Sequence, residues 1–144
     1  MAIIQTTCTS FKLQLLKAEH DFDAHTFRIA LYSSTASLGA DTTVYSTANE
    51  ITNTTGTAYT AGGKPLTVTS TFPKTSGTTA IVDFDNISWT DASFTARGAL
   101  IYNASASNKA VAVLDFGSDR VASSSTFEIQ FPVADATSAI IRIA

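Results

Sequence analysis

The strongest hydrophobic pattern in the chain lies at residues 94–116, where two apolar arms flank a short polar segment. The second half of the first arm carries apolar residues on both faces, and so does the return arm, residues 110–116. A short run of this kind fits either a strand covered on both sides or a buried helix segment. Asn103, Asn108 and the serines between them favour the strand, because these residues form turns through their own backbone. The pattern therefore predicts a β-hairpin in the interior of a sheet.

Shorter alternating runs predict further strands on both sides of this hairpin. In residues 27–32, Phe27, Ile29 and Leu31 alternate with their neighbours, as in a strand with one apolar face. The other predicted strands cover residues 65–72, 79–84, 87–90, 126–131 and 139–143. Turn-forming residues stand between them at Gly62-Gly63, Ser76-Gly77 and Gly117-Ser118-Asp119.

One helix is predicted, at residues 11–19. Phe11, Leu15 and Ala18 recur there at helical spacing, and Ser10 is of the residue type that caps a helix start.

A long connection is predicted at residues 35–63, which are polar and rich in turn formers. We expect one helical turn within it, at residues 42–45, and three apolar anchors: Tyr45, Ile51 and Tyr59. A connection of this length in a compact domain is usually functional or flexible.

Many short strands, one helix and a long loop predict an all-β fold, namely an antiparallel β-sandwich that is jelly-roll-like and has one short N-terminal helix. The chain of 144 residues suits a single domain, residues 1–144. A chain of this size buries roughly 70% of the surface that its unfolded form exposes, so its core needs no disulfide.

The composition argues against several classes of partner. The net charge is −3 and the 9 lysines and arginines are scattered, which gives no footprint for nucleic acid. No run of about 18 apolar residues predicts a membrane span, and the N-terminal residues do not resemble a signal peptide. Cys8 is the single cysteine, which fits assembly in a reducing cytoplasm and favours a small core or surface residue over a reactive thiol.

Two short clusters contain residue types that bind metals. They are His20, Asp21, Asp23 and His25 in one, and Asp83, Asp85 and Asn86 in the other. The first cluster enters a strand and has no second group of ligands with which to complete a zinc site, which favours a solvated turn. The second lacks the ligand spacing of a calcium loop, which favours a turn as well. We therefore predict no metal and no cofactor.

No motif of a catalytic nucleophile, a phosphate loop or a dinucleotide site is present, so we expect no enzymatic activity. Gly62-Gly63 is interpreted as a turn with positive φ rather than a phosphate cradle. Trp89 lies in a strand pattern, which favours core packing over stacking on a sugar. Arg97 lies within the first arm of the hairpin, where it either pairs with an internal carboxylate or reaches a neighbouring subunit. The sequence leaves both alternatives for Arg97 open.

Several segments resemble small structural proteins of tailed bacteriophages, in particular the capsid decoration, or cement, proteins. The similar segments read SFKLQLLKAEHDFDAHTFRIALYSS, AGGKPLT, TARGALIYNAS, AVAVLDFGSD and FPVADATSAIIRIA. They cover most of the chain in order, and residues 36–58 are the least distinctive part.

The resemblance implies a jelly-roll-like sandwich that self-associates as a dimer or trimer and binds the HK97-type major capsid protein on the outside of the head. It implies no catalytic residues. Alternatives are a tail or baseplate component and a carbohydrate-binding jelly roll. We expect the contacts to come from the long connection, Thr35 to Gly63, and from the N-terminal arm, Met1 to Thr7, both interpreted as irregular or peripheral.

Overall fold

The computed structural model of the protein describes residues 2–52, 58–68 and 73–144. These residues form one helix and eight strands. The elements are β1 (Thr6–Thr7), α1 (Thr9–Leu16), β2 (Phe27–Tyr32), β3 (Lys64–Pro65), β4 (Lys74–Ser76), β5 (Thr79–Val82), β6 (Ile87–Asn103), β7 (Lys109–Ile129) and β8 (Ile141–Ile143). The predicted positions Met1, 53–57 and 69–72 lie outside the described residues.

The strands form two antiparallel sheets, which confirms the predicted all-β sandwich. One sheet has the order β1-β7-β6-β2-β3, and the other has the order β4-β5-β8. All ladder pairings within both sheets are antiparallel. The finer expectation of jelly-roll topology stays a prediction.

The predicted hairpin is confirmed, and it is longer than expected. Strand β6 has 17 residues and includes the predicted strand at 87–90, while β7 has 21 residues and includes most of the predicted strand at 126–131. The central part is buried on both faces, since Leu100, Ile101 and Val113 are all 0% exposed. The two-sided apolar pattern therefore identified the central pair of the larger sheet.

The turn predicted at Gly117-Ser118-Asp119 is wrong, because these residues belong to β7. The chain does change course there. Ala96 pairs with Arg120, whereas Gly98 pairs with Asp115, so β7 has extra residues in a bulge. Gly117 lies in the bulge with a φ of 81°. A bulge and a turn share these residue types, because both need positive φ and local hydrogen bonds.

An aromatic cluster fills the core beside the outer half of the hairpin. Trp89 is 1% exposed, and its ring lies 6.1 Å from that of Tyr59, 6.1 Å from Phe127 and 6.5 Å from Phe94. Edge-on arrangements such as those of Trp89 with Phe94 and Phe127 are favourable for aromatic pairs. The interpretation of Trp89 as a core residue is confirmed.

The predicted helix exists, but its ends differ from the prediction. Helix α1 begins at Thr9, after Cys8 in the N-cap position, and Ser10 does not cap it. The backbone N–H groups of Cys8 and Thr9 donate to the carbonyls of Val111 and Ala40. The helix therefore starts at Thr9, before the predicted start at Phe11. The helix ends at Leu16 rather than at residue 19, because Ala18 adopts a φ of 59°, which is not helical.

Several short strands were missed or shortened in the prediction. Strands β1 and β4 were not predicted, and β3, β5 and β8 are shorter than the runs assigned to them. Beyond β3, Val68 forms a bridge with Phe84. Segments of two to four residues carry little periodic signal of their own. The two-residue strands β1 and β3 form because the longer strands β7 and β2 present free hydrogen-bonding groups to them.

We predict that Val113→Asp strongly destabilises the fold. The substitution places an unpaired charge at a fully buried position of β7, which costs at least about 3 kcal/mol of unfolding free energy. Val121→Asp is the matched control, because Val121 lies on the same strand but is 73% exposed. Its cost should be about 1 kcal/mol or less. Urea unfolding measures both, and equal midpoints for the two variants would contradict the placement of the hairpin.

Candidate functional site

The N-terminal arm and the long connection lie side by side and form one surface. The backbone N–H of Ile4 donates to the carbonyl of Leu38 at 2.9 Å, and the N–H of Leu38 donates to the carbonyl of Ala2 at 3.0 Å. Ile3 and Leu38 form a parallel bridge. We call residues 2–7 and 35–49 the arm–loop surface.

The connection then crosses the start of β7. The N–H of Tyr45 donates to the carbonyl of Asn108 at 2.9 Å, and the N–H of Ala110 donates to the carbonyl of Thr43 at 3.0 Å. Val44 forms an antiparallel bridge with Lys109. The helical turn predicted at residues 42–45 is therefore wrong. The backbone groups of Thr43 and Tyr45 bond to Ala110 and Asn108 instead of to one another.

The arm is less peripheral than predicted. Ile3 is 7% exposed, and its side chain occupies the space over Gly98, where an added Cβ would lie 2.9 Å from it. On the outer side, Ile4 is 62% exposed and Val44 is 49% exposed. The arm–loop surface thus has a base bonded to the sheet and presents isolated apolar side chains outward.

A buried carboxylate holds the inner part of the long connection. Glu50 is 7% exposed and accepts three hydrogen bonds. One oxygen accepts from the hydroxyl of Tyr59 at 2.5 Å and from the N–H of Gly62 at 2.7 Å, while the other accepts from the hydroxyl of Tyr45 at 2.7 Å. Hydrogen bonds to a charged acceptor are the strong ones, and a buried charge needs them.

The tyrosines remain donors in this network. Burial, followed by the neighbouring Glu50 carboxylate, raises the pKa of both Tyr45 and Tyr59 well above the ordinary tyrosine value. The hydroxyl of Tyr59 also accepts the N–H of Leu31 at 3.0 Å, and the ring of Tyr45 stacks on Tyr102 at 4.6 Å. With Ile51 also buried, the three predicted anchors are confirmed.

The Gly62-Gly63 pair forms the predicted turn with positive φ, at 92° and 71°. A Cβ on Gly63 would lie 1.7 Å from the carbonyl oxygen of Ile29, so only glycine fits against β2. The carbonyl of Gly62 accepts the Tyr102 hydroxyl at 2.7 Å, and the carbonyl of Gly63 accepts an Arg28 N–H at 2.8 Å. The pair therefore serves as a packing point between the connection and the larger sheet.

The first predicted turn cluster is only partly solvated. His20 is 8% exposed, which corrects the prediction of a solvated turn at this residue. Asp21 does form a turn, since its Oδ1 accepts the N–H groups of Asp23 at 2.9 Å and Ala24 at 3.3 Å. His25 is half-buried beside them. No group of three or more potential metal-binding side chains occurs in the described part of the chain.

Sequence reasoning missed the burial of Asp83 in the second cluster. Asp83 is 2% exposed, and its Oδ1 accepts the N–H of Phe84 at 2.9 Å. Its Oδ2 has no hydrogen-bond partner among residues 2–52, 58–68 and 73–144. Burial raises the pKa of Asp83, and the amides of Phe84 and Ile140 oppose part of that effect. The alternation at residues 79–84 gave no sign of this, because an aspartate at a strand end usually faces water.

Cys8 and Arg97 also have defined places. Cys8 is 0% exposed, as expected of a core residue, and burial together with Asp41 raises the pKa of its thiol to about 11. Such a thiol stays protonated and is a poor nucleophile. Arg97 pairs with Asp115 across the hairpin at 3.0 Å. Of the two alternatives for Arg97, the internal carboxylate is the one observed.

Sugars commonly stack on exposed aromatic side chains, and the described part of the chain has no large aromatic residue in the exposed class. The exposed large hydrophobic residues in the described ranges are aliphatic: Ile4, Leu13, Leu16, Val44, Val121, Val133 and Ile143. None of the helices in those ranges is long and apolar enough to cross a membrane. Comparisons with protein-family models, curated proteins and solved structures found no match.

We predict that Glu50→Ala loosens the long connection. The substitution leaves two tyrosine hydroxyls and one amide without their acceptor, which costs at least about 2 kcal/mol. Proteolytic cleavage within residues 35–52 should accelerate, while the hairpin persists. Thr47→Ala is the control, since Thr47 is exposed on the same connection. Unchanged cleavage of Glu50→Ala relative to Thr47→Ala would show that the carboxylate does not hold the connection.

We predict that Asp83→Asn raises the stability of the protein near neutral pH. Because the folded pKa of Asp83 is raised, its contribution to stability is complete below its unfolded pKa of about 3.9 and is lost as the pH rises through the folded value. Asparagine does not ionise, so the variant keeps this contribution to stability as the pH rises. Thermal melts from acid to neutral pH test this, with the exposed Asp119→Asn as the control. A variant that loses as much stability with rising pH as the wild type would contradict it.

Proposed function

We propose that this protein is an interaction module without catalytic chemistry of its own. More specifically, we propose that it is a virion structural protein, a decoration or cement protein that binds the outside of a tailed-phage head and stabilises the lattice of the major capsid protein. The observation that carries the proposal is the arm–loop surface, whose base is bonded to the central sheet and whose outer side presents apolar residues between hydroxyls.

The chemistry of the surface supports a protein partner. Only 15% of the residues are charged. Cys8 is buried, Asp83 is buried, and His20 is hydrogen-bonded. Protein interfaces are poor in charge at their centre and bury aliphatic and aromatic groups within a polar rim.

Two of the segments that resemble decoration proteins form the central hairpin. TARGALIYNAS lies mainly in β6 and AVAVLDFGSD lies in β7, which together form the central hairpin. The least distinctive region, residues 36–58, contains most of the exposed part of the connection. This division is expected of a family that keeps one scaffold and adapts a loop surface to each partner.

Cementing requires that binding depend on the assembled lattice. A single contact of standard size buries on the order of 800 Å² on each partner, and this area alone does not ensure tight binding. A dimer or trimer that touches two or more coat subunits gains roughly 10²- to 10⁴-fold in avidity. Binding of this kind stabilises the assembled state by mass action.

We predict that the purified protein binds intact heads tightly, binds free coat protein weakly, and raises the temperature at which heads burst. Cosedimentation with undecorated heads and with free coat subunits measures the first two, and a heating series measures the third. Equal affinity for heads and free subunits, or heads no sturdier when saturated, would rule out cementing. Electron microscopy of virions with a labelled copy tests the tail alternative, because decoration covers the whole head.

We further predict that Val44→Asp weakens head binding at least about tenfold without unfolding the protein, because it places a charge at an exposed apolar position of the arm–loop surface. Val121→Asp is the matched control, since Val121 is exposed outside that surface. Both variants should remain folded and lose about 1 kcal/mol of stability or less. Equal loss of binding in the two variants would mean that another surface makes the contact.

A further inference from the structure

A fully buried asparagine joins two histidines at one end of the larger sheet. Asn103 is 0% exposed at the last position of β6. Its side-chain nitrogen lies 3.0 Å from Nδ1 of His20 and 2.9 Å from Nδ1 of His25. Its side-chain oxygen accepts the backbone N–H of Ser105 at 3.0 Å. The other ring nitrogen of His20, Nε2, lies 2.7 Å from Oε1 of Gln14.

Two backbone amides determine the direction of these hydrogen bonds, because a backbone N–H can only donate. The N–H of Ser105 requires the oxygen of Asn103 on its side, which turns the Asn103 amide nitrogen toward the histidines. The N–H of Asp21 lies 3.2 Å from Nδ1 of His25, so that this nitrogen is an acceptor. Nδ1 of His20 is then an acceptor as well, and the ring carries its proton on Nε2, which donates to Gln14.

The network joins three separate segments. Gln14 belongs to α1, the histidines belong to the turn at residues 20–26, and Asn103 leads into the β6–β7 turn. A backbone bond also joins the turn at residues 20–26 to the β6–β7 turn, since the N–H of Ala104 donates to the carbonyl of Thr26 at 3.0 Å. Helix α1 is attached to the sheet by the bond from the N–H of Cys8 to the carbonyl of Val111. The His20 ring adds a second attachment, because it bonds to Gln14 and packs against Phe11 at a centroid distance of 4.8 Å.

A proton on Nδ1 of His20 is incompatible with this arrangement. The new N–H would face the amide nitrogen of Asn103, so that two donors would meet inside the fold. Rotating the Asn103 amide would present its oxygen to the histidine but would leave the N–H of Ser105 facing a donor. A buried polar group without its partner carries a desolvation cost in either case.

We propose that Gln14, His20, His25 and Asn103 form an acid-sensitive latch, in which protonation of His20 breaks the network and releases α1 and the turn at residues 20–26 from the end of the central hairpin. The latch goes beyond the proposed function and does not require a capsid. It is tested on the free protein, so its failure and the failure of the cementing proposal are separate results.

The charges around the latch determine the sign of the effect. Among the described residues, Lys109, Glu19 and His25 act on the charge of His20. Lys17 pairs with Glu19, and Asp21 and Asp23 lie in the adjoining turn. Burial, followed by Lys109, lowers the pKa of His20, and Glu19 opposes them. Glu19 is itself paired with Lys109 and Lys17, which limits its influence on the ring. A folded pKa below the unfolded value of about 6.5 means that stability is complete above that pH and is lost as the pH falls.

The first test is nuclear magnetic resonance of the histidine ring nitrogens near neutral pH. We expect Nδ1 of both His20 and His25 to be unprotonated, and Nε2 of His20 to carry the proton. Tautomers that place a proton on Nδ1 of His20 would overturn the latch, because the hydrogen-bond directions would then be reversed.

The second test is the pH dependence of unfolding in an Asp83→Asn background, which removes the buried carboxyl that titrates with the opposite sign. We expect the equilibrium constant for unfolding to rise between about pH 7.5 and about pH 5.5, by no more than about tenfold, which is the limit for one histidine with an unfolded pKa of about 6.5. Hydrogen exchange of the α1 amides should accelerate over the same range. A flat profile, or α1 amides with unchanged protection, would overturn the proposal.

Two variants in the same background isolate the network. Asn103→Asp keeps the shape of the side chain and the oxygen that accepts the N–H of Ser105. It replaces the amide nitrogen that faces the histidines with an acceptor oxygen. A protonated histidine can donate to this oxygen, so acid should now stabilise the protein. His20→Asn removes the titrating ring and should remove most of the slope, which keeps the test decisive if Asn103→Asp does not fold. A wild-type slope in His20→Asn would overturn the latch.

Discussion

The structure depends on the pairing of β6 with β7. This hairpin forms the centre of the larger sheet. Strand β2 pairs with the free edge of β6, and β1 pairs with the free edge of β7. Its two faces are buried in the middle, so its side chains contribute to the core on both sides. The bulge near Gly117 and the register shifts around Ala92 bend the long strands. Bending allows a pair of this length to curve around an aromatic core.

Buried polar side chains organise the irregular segments that lie against this hairpin. Glu50 gathers three donors from the long connection, and Asn103 joins the turn at residues 20–26 to the sheet. Both residues solve the same physical problem. A loop that packs against a core must pair its polar groups, and a side chain with several hydrogen-bonding positions can pair more than one of them. Stability and shape of the loops therefore rest on a few groups that are fully satisfied.

This construction fits the function proposed for the protein. A binding surface needs exposed residues held in fixed positions, and the arm–loop surface obtains them from backbone bonds to β7 and from Ile3 seated over Gly98. Cys8 and Asp83 are buried, and His20 is hydrogen-bonded to Gln14 and Asn103. Surface chemistry that is poor in charge suits repeated contacts with a protein lattice better than it suits steering of a charged ligand.

The sequence by itself determined the fold class, the central hairpin, strand β2, the single helix and the anchors of the long connection. Each of these follows from local chemistry, because the spacing of apolar residues along a segment indicates which of its faces will be buried. Tertiary structure alone decided the edge strands β1 and β4, the start of α1, the bulge at Gly117 and the partners of Glu50, His20 and Asp83. Those features depend on which hydrogen-bonding groups a distant segment leaves open, and that information is absent from the pattern of any short stretch of chain.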